Sequence, residues 1–210
     1  MCDNCGMQIR RTLPWLILLG LLAVVGGALL ARMLAHPSVA IETGTWLPES
    51  RPIGTLRLTD VAGQSFTEQS LRGHASLVFF GFTYCPDLCP TTLATLAQLQ
   101  RSPPIAGLRV LFVTVDPERD SAAALRQYLA AFSPDFVGLR PQPKDLPLLL
   151  RNFGAIAERV TLPDGSYTVD HSATLYLLDT RGRIAAVFSP PFSVPALHAD
   201  LARIGNAAVL

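Results

Sequence analysis

Two uninterrupted apolar runs constrain this chain most: ASLVFFGF from Ala75 to Phe82, and RVLFVTV from Arg109 to Val115. Each has the length of a strand and lacks the polar alternation of a strand with one wet face. Such runs belong in a sheet covered on both sides. Behind the first, Leu93, Leu96 and Leu99 recur at helical spacing, which predicts a helix over Thr91 to Leu99. The second leads into DPERDSAAALRQYLAAF, where Pro117 and its acidic neighbours suit a helical first turn. A βαβα core follows.

The flanks extend that core. GTLRLTDVAGQSF, Gly54 to Phe66, alternates around Gly63 and predicts a hairpin. Leu146 to Val160 reads as a third helix. Ser172 to Leu178 and Arg183 to Phe188 read as strands joined by the turn DTRG, and Pro195 to Ile204 as a closing helix. This order predicts an α/β domain over residues 52–210, a thioredoxin-like mixed sheet covered by helices. Formal net charge is +1, so nothing marks a nucleic-acid binder.

Leu13 to Ala31 carries no charge and is long enough to cross a hydrocarbon core as a helix. Arg10 and Arg11 precede it, which by the positive-inside bias leaves the N-terminus in the cytoplasm. A cleaved signal peptide is the competing reading. The run exceeds a usual h-region, and no clear small-x-small site follows it. The expected organisation is a cytoplasmic tail at 1–12, one N-terminal transmembrane anchor at 13–34, an aperiodic tether at 35–51, and the domain beyond. Cys2 and Cys5 in MCDNCGM have C-x-x-C spacing, but no strand or helix frames them, and they read as reduced thiols of a solvated tail.

The chemistry concentrates in FFGFTYCPDLCPTTLATL. Pro90 has no N–H and suits the first turn of a helix, while residues before proline are pushed out of the α region. Cys85 and Cys89 are therefore expected to be extended, on a loop between a buried strand and a helix N-terminus. That location favours thiolate. A structural disulfide, a redox pair and a metal clamp all remain open, although three intervening residues are one more than the thioredoxin-type redox spacing. A clamp needs another ligand. His36, His74 and His198 read as surface or half-buried residues. His171, in YTVDHSATLYLL, precedes the terminal hairpin, whose leading loop faces the first helix N-terminus in a thioredoxin-like sheet. Two thiolates and one imidazole form a soft three-coordinate set that suits Cu(I) and can hold Cu(II); structural zinc would want a fourth ligand.

GFTYCPDLCP, then VTVDPERDS, then YTVDHS, in this order, resemble the Sco/SenC family of membrane-anchored copper proteins. The resemblance runs from about Pro52 to the C-terminus and includes the single anchor. It implies copper ligation by Cys85, Cys89 and His171. Ser121 stands where the family has Thr and keeps the hydroxyl. Asp116 and Asp170 either position the site or the partner's docking surface, or act as a helix cap and a hairpin-loop residue. The implied function is a copper chaperone that helps assemble the binuclear copper centre of a cytochrome c oxidase. Its partners would be the oxidase copper-site subunit and other periplasmic copper chaperones. The alternatives are a thiol-disulfide oxidoreductase acting on the oxidase cysteines, and a redox or copper sensor. The expected location is the inner membrane, single-pass, with the domain in the periplasm. A reporter active only outside the cytoplasm, fused after Leu210, is expected to be active; one active only in the cytoplasm should stay silent.

Overall fold

The computed structural model describes residues 5–34, 40–102 and 107–206; the side chains of 5–14, 16, 31–34 and 206 lie outside the description. Two compact units emerge, Met1–Pro37 and Ser38–Leu210. The first is helix α1, Cys5–Leu34, a single helix of 30 residues. Trp15, Leu18, Leu22 and Val25 are among its exposed side chains. Among the described residues, no helix is long and apolar enough to cross a membrane. Cys2 and both thiols of the C-x-x-C pair fall outside the described residues, but a helix does frame Cys5, which is the first residue of α1.

The second unit is built on an eight-stranded sheet of order β1-β10-β9-β4-β5-β6-β2-β3. Its centre is β4 (Ser76–Gly81), β5 (Arg109–Thr114) and β6 (Val137–Pro141), which run parallel. The two apolar runs are β4 and β5, and their side chains alternate between two cores. Leu77, Phe79, Val110 and Phe112 face one core, with Leu93 and Leu96 of α2 (Leu88–Gln100), Leu125 and Leu129 of α3 (Ala122–Ala130), and Leu197 and Leu201 of α5 (Val194–Asn206). Val78, Phe80, Leu111 and Val113 face the other, with Leu149, Leu150 and Phe153 of α4 (Leu146–Phe153). Each fully buried Leu or Phe contributes about 1.5–3 kcal/mol. Burial on both faces is what the missing alternation required.

The outer strands are antiparallel. The hairpin β2 (Leu58–Asp60) and β3 (Ser65–Phe66) closes one edge. β9 (Leu175–Leu178), β10 (Arg183–Phe188) and β1 (Gly44–Pro52) close the other. The thioredoxin-like mixed sheet is present as expected.

Four local readings change. Residues 44–51, read as tether, belong to edge strand β1. Between the pairs Trp46↔Ala186 and Arg51↔Ile184 the register shifts, so Leu47 to Ser50 bulge past Ala185. Pro48 sits in that bulge, and the irregularity erases the period of two. Helix α3 begins at Ala122 rather than Pro117: Ser121 is its N-cap, accepting the Ala124 N–H at 3.1 Å. Helix α4 stops at Phe153, because Gly154 takes the left-handed conformation at φ 71° and ends it. Beyond it stands a separate hairpin, β7 (Ala157–Thr161) with β8 (Tyr167–His171), where the sequence reading continues a helix. Strand β6 goes unread from sequence because Gly138 and Pro141 dilute its five residues.

Gly81 ends β4 where the chain turns toward the cysteines. A Cβ there would come within 2.8 Å of both Cys89 Sγ and Phe112 Cε2. Gly81→Ala is expected to destabilise the domain by about 1–3 kcal/mol, measured as a lower urea midpoint with an unchanged m-value.

Candidate metal centre

The site lies beyond the C-terminal ends of β4 and β5. Cys85 and Cys89 bracket the turn into α2, and the structure moves one of them from its expected place. Cys89 is in the first turn of α2, fully buried, instead of on an extended loop. The local bias of a residue before proline yields here to packing of the thiol against the core. Pro90 stands in the same turn, where a missing N–H costs nothing. Cys85 is half-buried, and both cysteines are free.

His171 arrives from the far side, at the end of β8. Its Nε2 is 3.4 Å from Cys89 Sγ, and its Nδ1 is 3.2 Å from the Ser172 carbonyl oxygen. A carbonyl only accepts, so Nδ1 carries a proton, and it is the neutral ring of that tautomer that would turn an Nε2 lone pair to the thiols. The ring is held edge-on between Phe79 and Phe82. The two sulfurs and the imidazole nitrogen all lie within 4.8 Å of one another. A trigonal metal with ligand distances of about 2.0–2.3 Å spaces its donors by about 3.5–4 Å, so only a small closure is needed. Among the described residues this is the one such cluster of candidate ligands. His74 lies in the turn ahead of β4, His198 lies on α5, and His36 is outside the described residues.

The two thiols are electrically unequal. The Cys85 thiol is lowered to about 4, chiefly because the Cys89 thiol donates to it, against the cost of burial. The Cys89 backbone N–H, at the open start of α2, also donates to Cys85 Sγ at 3.4 Å. The Cys89 thiol is raised, because it is the donor to that sulfur and is buried. One sulfur is a thiolate at neutral pH, and the other keeps its proton until something replaces it.

The cysteine loop is fixed by a buried carboxylate. Asp120 accepts from the Thr83 N–H at 3.1 Å, the Thr83 hydroxyl at 2.6 Å and the Thr114 hydroxyl at 2.6 Å. Asp120 is therefore not a solvated first-turn acid. Asp116 is buried too, bonded to Arg119 and accepting the Tyr167 hydroxyl at 3.1 Å. Asp170 is exposed on β8, opposite Glu158. Sequence reasoning missed Asp120, Arg119 and Tyr167 as parts of this site. The two aspartates of DPERD, just past a buried strand, were the available signal, and helix-dipole logic absorbed it.

Fold and site together define a thioredoxin-like domain whose strand-to-helix loop presents a soft Cys–Cys–His donor set. Residues 48–206 match the SCO1/SenC family model, and the chain belongs to that family. A SCO2-like protein of Rickettsia conorii is 33% identical over 174 residues, covering 80% of this chain and 85% of its own length. The mitochondrial SCO2 homolog of Danio rerio is 38% identical over 134 residues, 61% of this chain and 48% of that protein. The structure of Bradyrhizobium japonicum ScoI with copper bound superposes with a TM-score of 0.65 at 37% identity, covering 71% of this chain and 97% of that one.

The lowered Cys85 value gives a testable order of reactivity. In the reduced, metal-free protein at pH 6, iodoacetamide is expected to alkylate Cys85 at least about tenfold faster than Cys89. The Cys85 rate should hold from pH 8 down to about 5 and fall as pH approaches 4, where the thiolate is protonated. Peptide mass mapping over a pH series reads both sites.

Proposed function

We propose that this protein binds copper through Cys85 Sγ, Cys89 Sγ and His171 Nε2, and delivers it to the copper-site subunit of a cytochrome c oxidase. The observation that carries the reading is the convergence of two sulfurs and an imidazole lone pair within 4.8 Å at one end of the sheet. Two thiolates with an imidazole favour copper over harder cations, and Cu(II) draws more on the imidazole than Cu(I) does. The copper-bound state of the Bradyrhizobium japonicum relative supports the cargo. Other periplasmic copper chaperones are candidate donors of that cargo.

The thiol asymmetry suits ligand exchange. The half-buried Cys85 thiolate is the reachable first contact for arriving copper, and Cys89 completes the site by giving up its proton. Delivery reverses the order, with a partner thiolate displacing Cys85 first. The charge-free run Leu13 to Ala31, several of whose side chains lie outside the described residues, would follow Arg10 and Arg11 as a single-pass inner-membrane anchor that holds the domain in the periplasm.

One observation favours a second reading, reduction of the oxidase cysteines. A low-pKa, reachable thiolate beside a buried thiol is the arrangement of an attacking and a resolving cysteine. His171→Ala separates the two. A reductase has no obligatory need of the imidazole, whereas a three-donor copper site loses one donor. The variant is expected to keep its fold and a reducible Cys85–Cys89 pair, and to bind Cu(I) more weakly through two sulfurs. Stable Cu(II) binding should be lost, at least about tenfold in affinity, and oxidase assembly should fail in cells carrying only the variant. Wild-type Cu(II) spectra would remove His171 from the site; full rescue of assembly would favour the reductase.

A further inference from the structure

His171 is supplied by a hairpin that has no hydrogen-bonded place in the main sheet: β7 and β8 form a two-stranded sheet of their own. No backbone hydrogen bond from the strands that position the cysteines therefore places the imidazole; they reach it only through side-chain packing, Phe79 against the ring and buried Val169 against the core. At its base the hairpin is tied by its own chain, where the Ser172 N–H donates to the Ile156 carbonyl and the Ile156 N–H donates to Ser172 Oγ. The second tie is at Tyr167, the first residue of β8, and it is made by Arg119.

Arg119 reaches three parts of the site at once. Its Nη1 donates to the Tyr167 carbonyl at 2.8 Å, and its guanidinium carbon lies 3.7 Å from the centroid of the Tyr167 ring. Its Nε is bonded to buried Asp116, which also accepts the Tyr167 hydroxyl. The same guanidinium lies 5.0 Å from the Tyr84 ring and 5.9 Å from the Phe82 ring, and Phe82 stands edge-on to His171. Arg159 also sits over Tyr167, 4.1 Å from the ring centroid, and pairs with Glu118 at 2.6 Å. Tyr167 is thus in contact with two guanidiniums, both linked to the turn that follows β5.

We propose that Arg119 is a positioning residue for the third donor: by clamping Tyr167 it fixes the β7–β8 hairpin, and so sets where His171 Nε2 stands relative to the two sulfurs. The inference rests on the reading of Cys85, Cys89 and His171 as one copper site, and adds a residue that touches none of the three donor atoms. A planar fork that donates along two directions while stacking on a ring is a property of arginine that lysine lacks. The clamp should therefore depend on shape more than on charge.

The test compares Arg119→Ala, Arg119→Lys and Tyr167→Leu with His171→Ala in the purified full-length protein. Cu(I) affinity is read by competition with a chromophoric chelator; Cu(II) is read by its absorption and electron paramagnetic resonance spectra. Both Arg119 variants and Tyr167→Leu are expected to keep Cu(I) affinity within about threefold of wild type, because the sulfurs are placed by β4 and α2. Their Cu(II) affinity should fall about tenfold or more, with spectra shifted toward those of His171→Ala. Arg119→Lys should rescue little. Arg181→Ala, which removes an exposed guanidinium from the β9–β10 turn, should leave both forms unchanged. Wild-type Cu(II) spectra in Arg119→Ala, with His171→Ala altered, would overturn the positioning role and leave the copper site standing. Wild-type spectra in His171→Ala would instead overturn the site itself. Should Arg119→Ala fail to fold, Tyr167→Leu decides, since it removes the stacked ring and leaves the Arg119–Asp116 pair intact. Unchanged spectra there overturn the proposal.

Discussion

The carboxylate of Asp120 is buried at the end of β5 and receives three hydrogen bonds from Thr83 and Thr114. That cluster joins the end of one buried strand to the loop leaving its neighbour, and it decides where Cys85 can stand. A buried carboxylate is tolerated only when its oxygens are satisfied, and losing a partner leaves it or the hydroxyls stranded. The arrangement therefore has one low-energy geometry. Arg140 reinforces it by donating to the Asp120 and Pro117 carbonyls at 2.6 and 3.0 Å.

From that fixed loop the properties of the thiols follow. The start of α2 offers unpaired N–H groups, and the Cys89 N–H points at the Cys85 sulfur. Negative charge settles on the half-exposed sulfur, and the proton stays on the buried one. A fully ionised buried pair would carry two like charges in a poorly solvated pocket. An arriving soft cation removes that penalty by taking the place of the proton. The same asymmetry serves metal capture and thiol exchange, and for that reason the imidazole separates the two readings.

Much of this was legible in the sequence because it depends on short-range rules. Uninterrupted runs gave β4 and β5, a helical leucine spacing gave α2, and Gly63 with its alternating flanks gave the β2–β3 hairpin. The cysteine motif announced its chemistry through residue type and position before a helix. Misreadings occurred where a local signal was diluted or outvoted. The bulge at Leu47 to Ser50 broke the period of β1. The apolar spacing of α4 was extrapolated past Gly154 into β7, although LPDG carries the turn chemistry of a hairpin. Cys89 was placed outside the helix by the preference of residues before proline, a bias that burial of its thiol overrides.

The sequence by itself determined the central elements β4, β5 and α2, the donor types and the strand-to-helix junction that carries the cysteines. These follow from periodicity, from proline and glycine geometry, and from the softness of sulfur and imidazole. Only the tertiary structure decided which thiol is ionised, that His171 stands within reach of both sulfurs, and that Asp116, Arg119 and Asp120 frame them. Cys89 and His171 are 82 residues apart in the chain. Their meeting depends on a hairpin held through a cation–ring contact and a buried acid, interactions that no local pattern encodes.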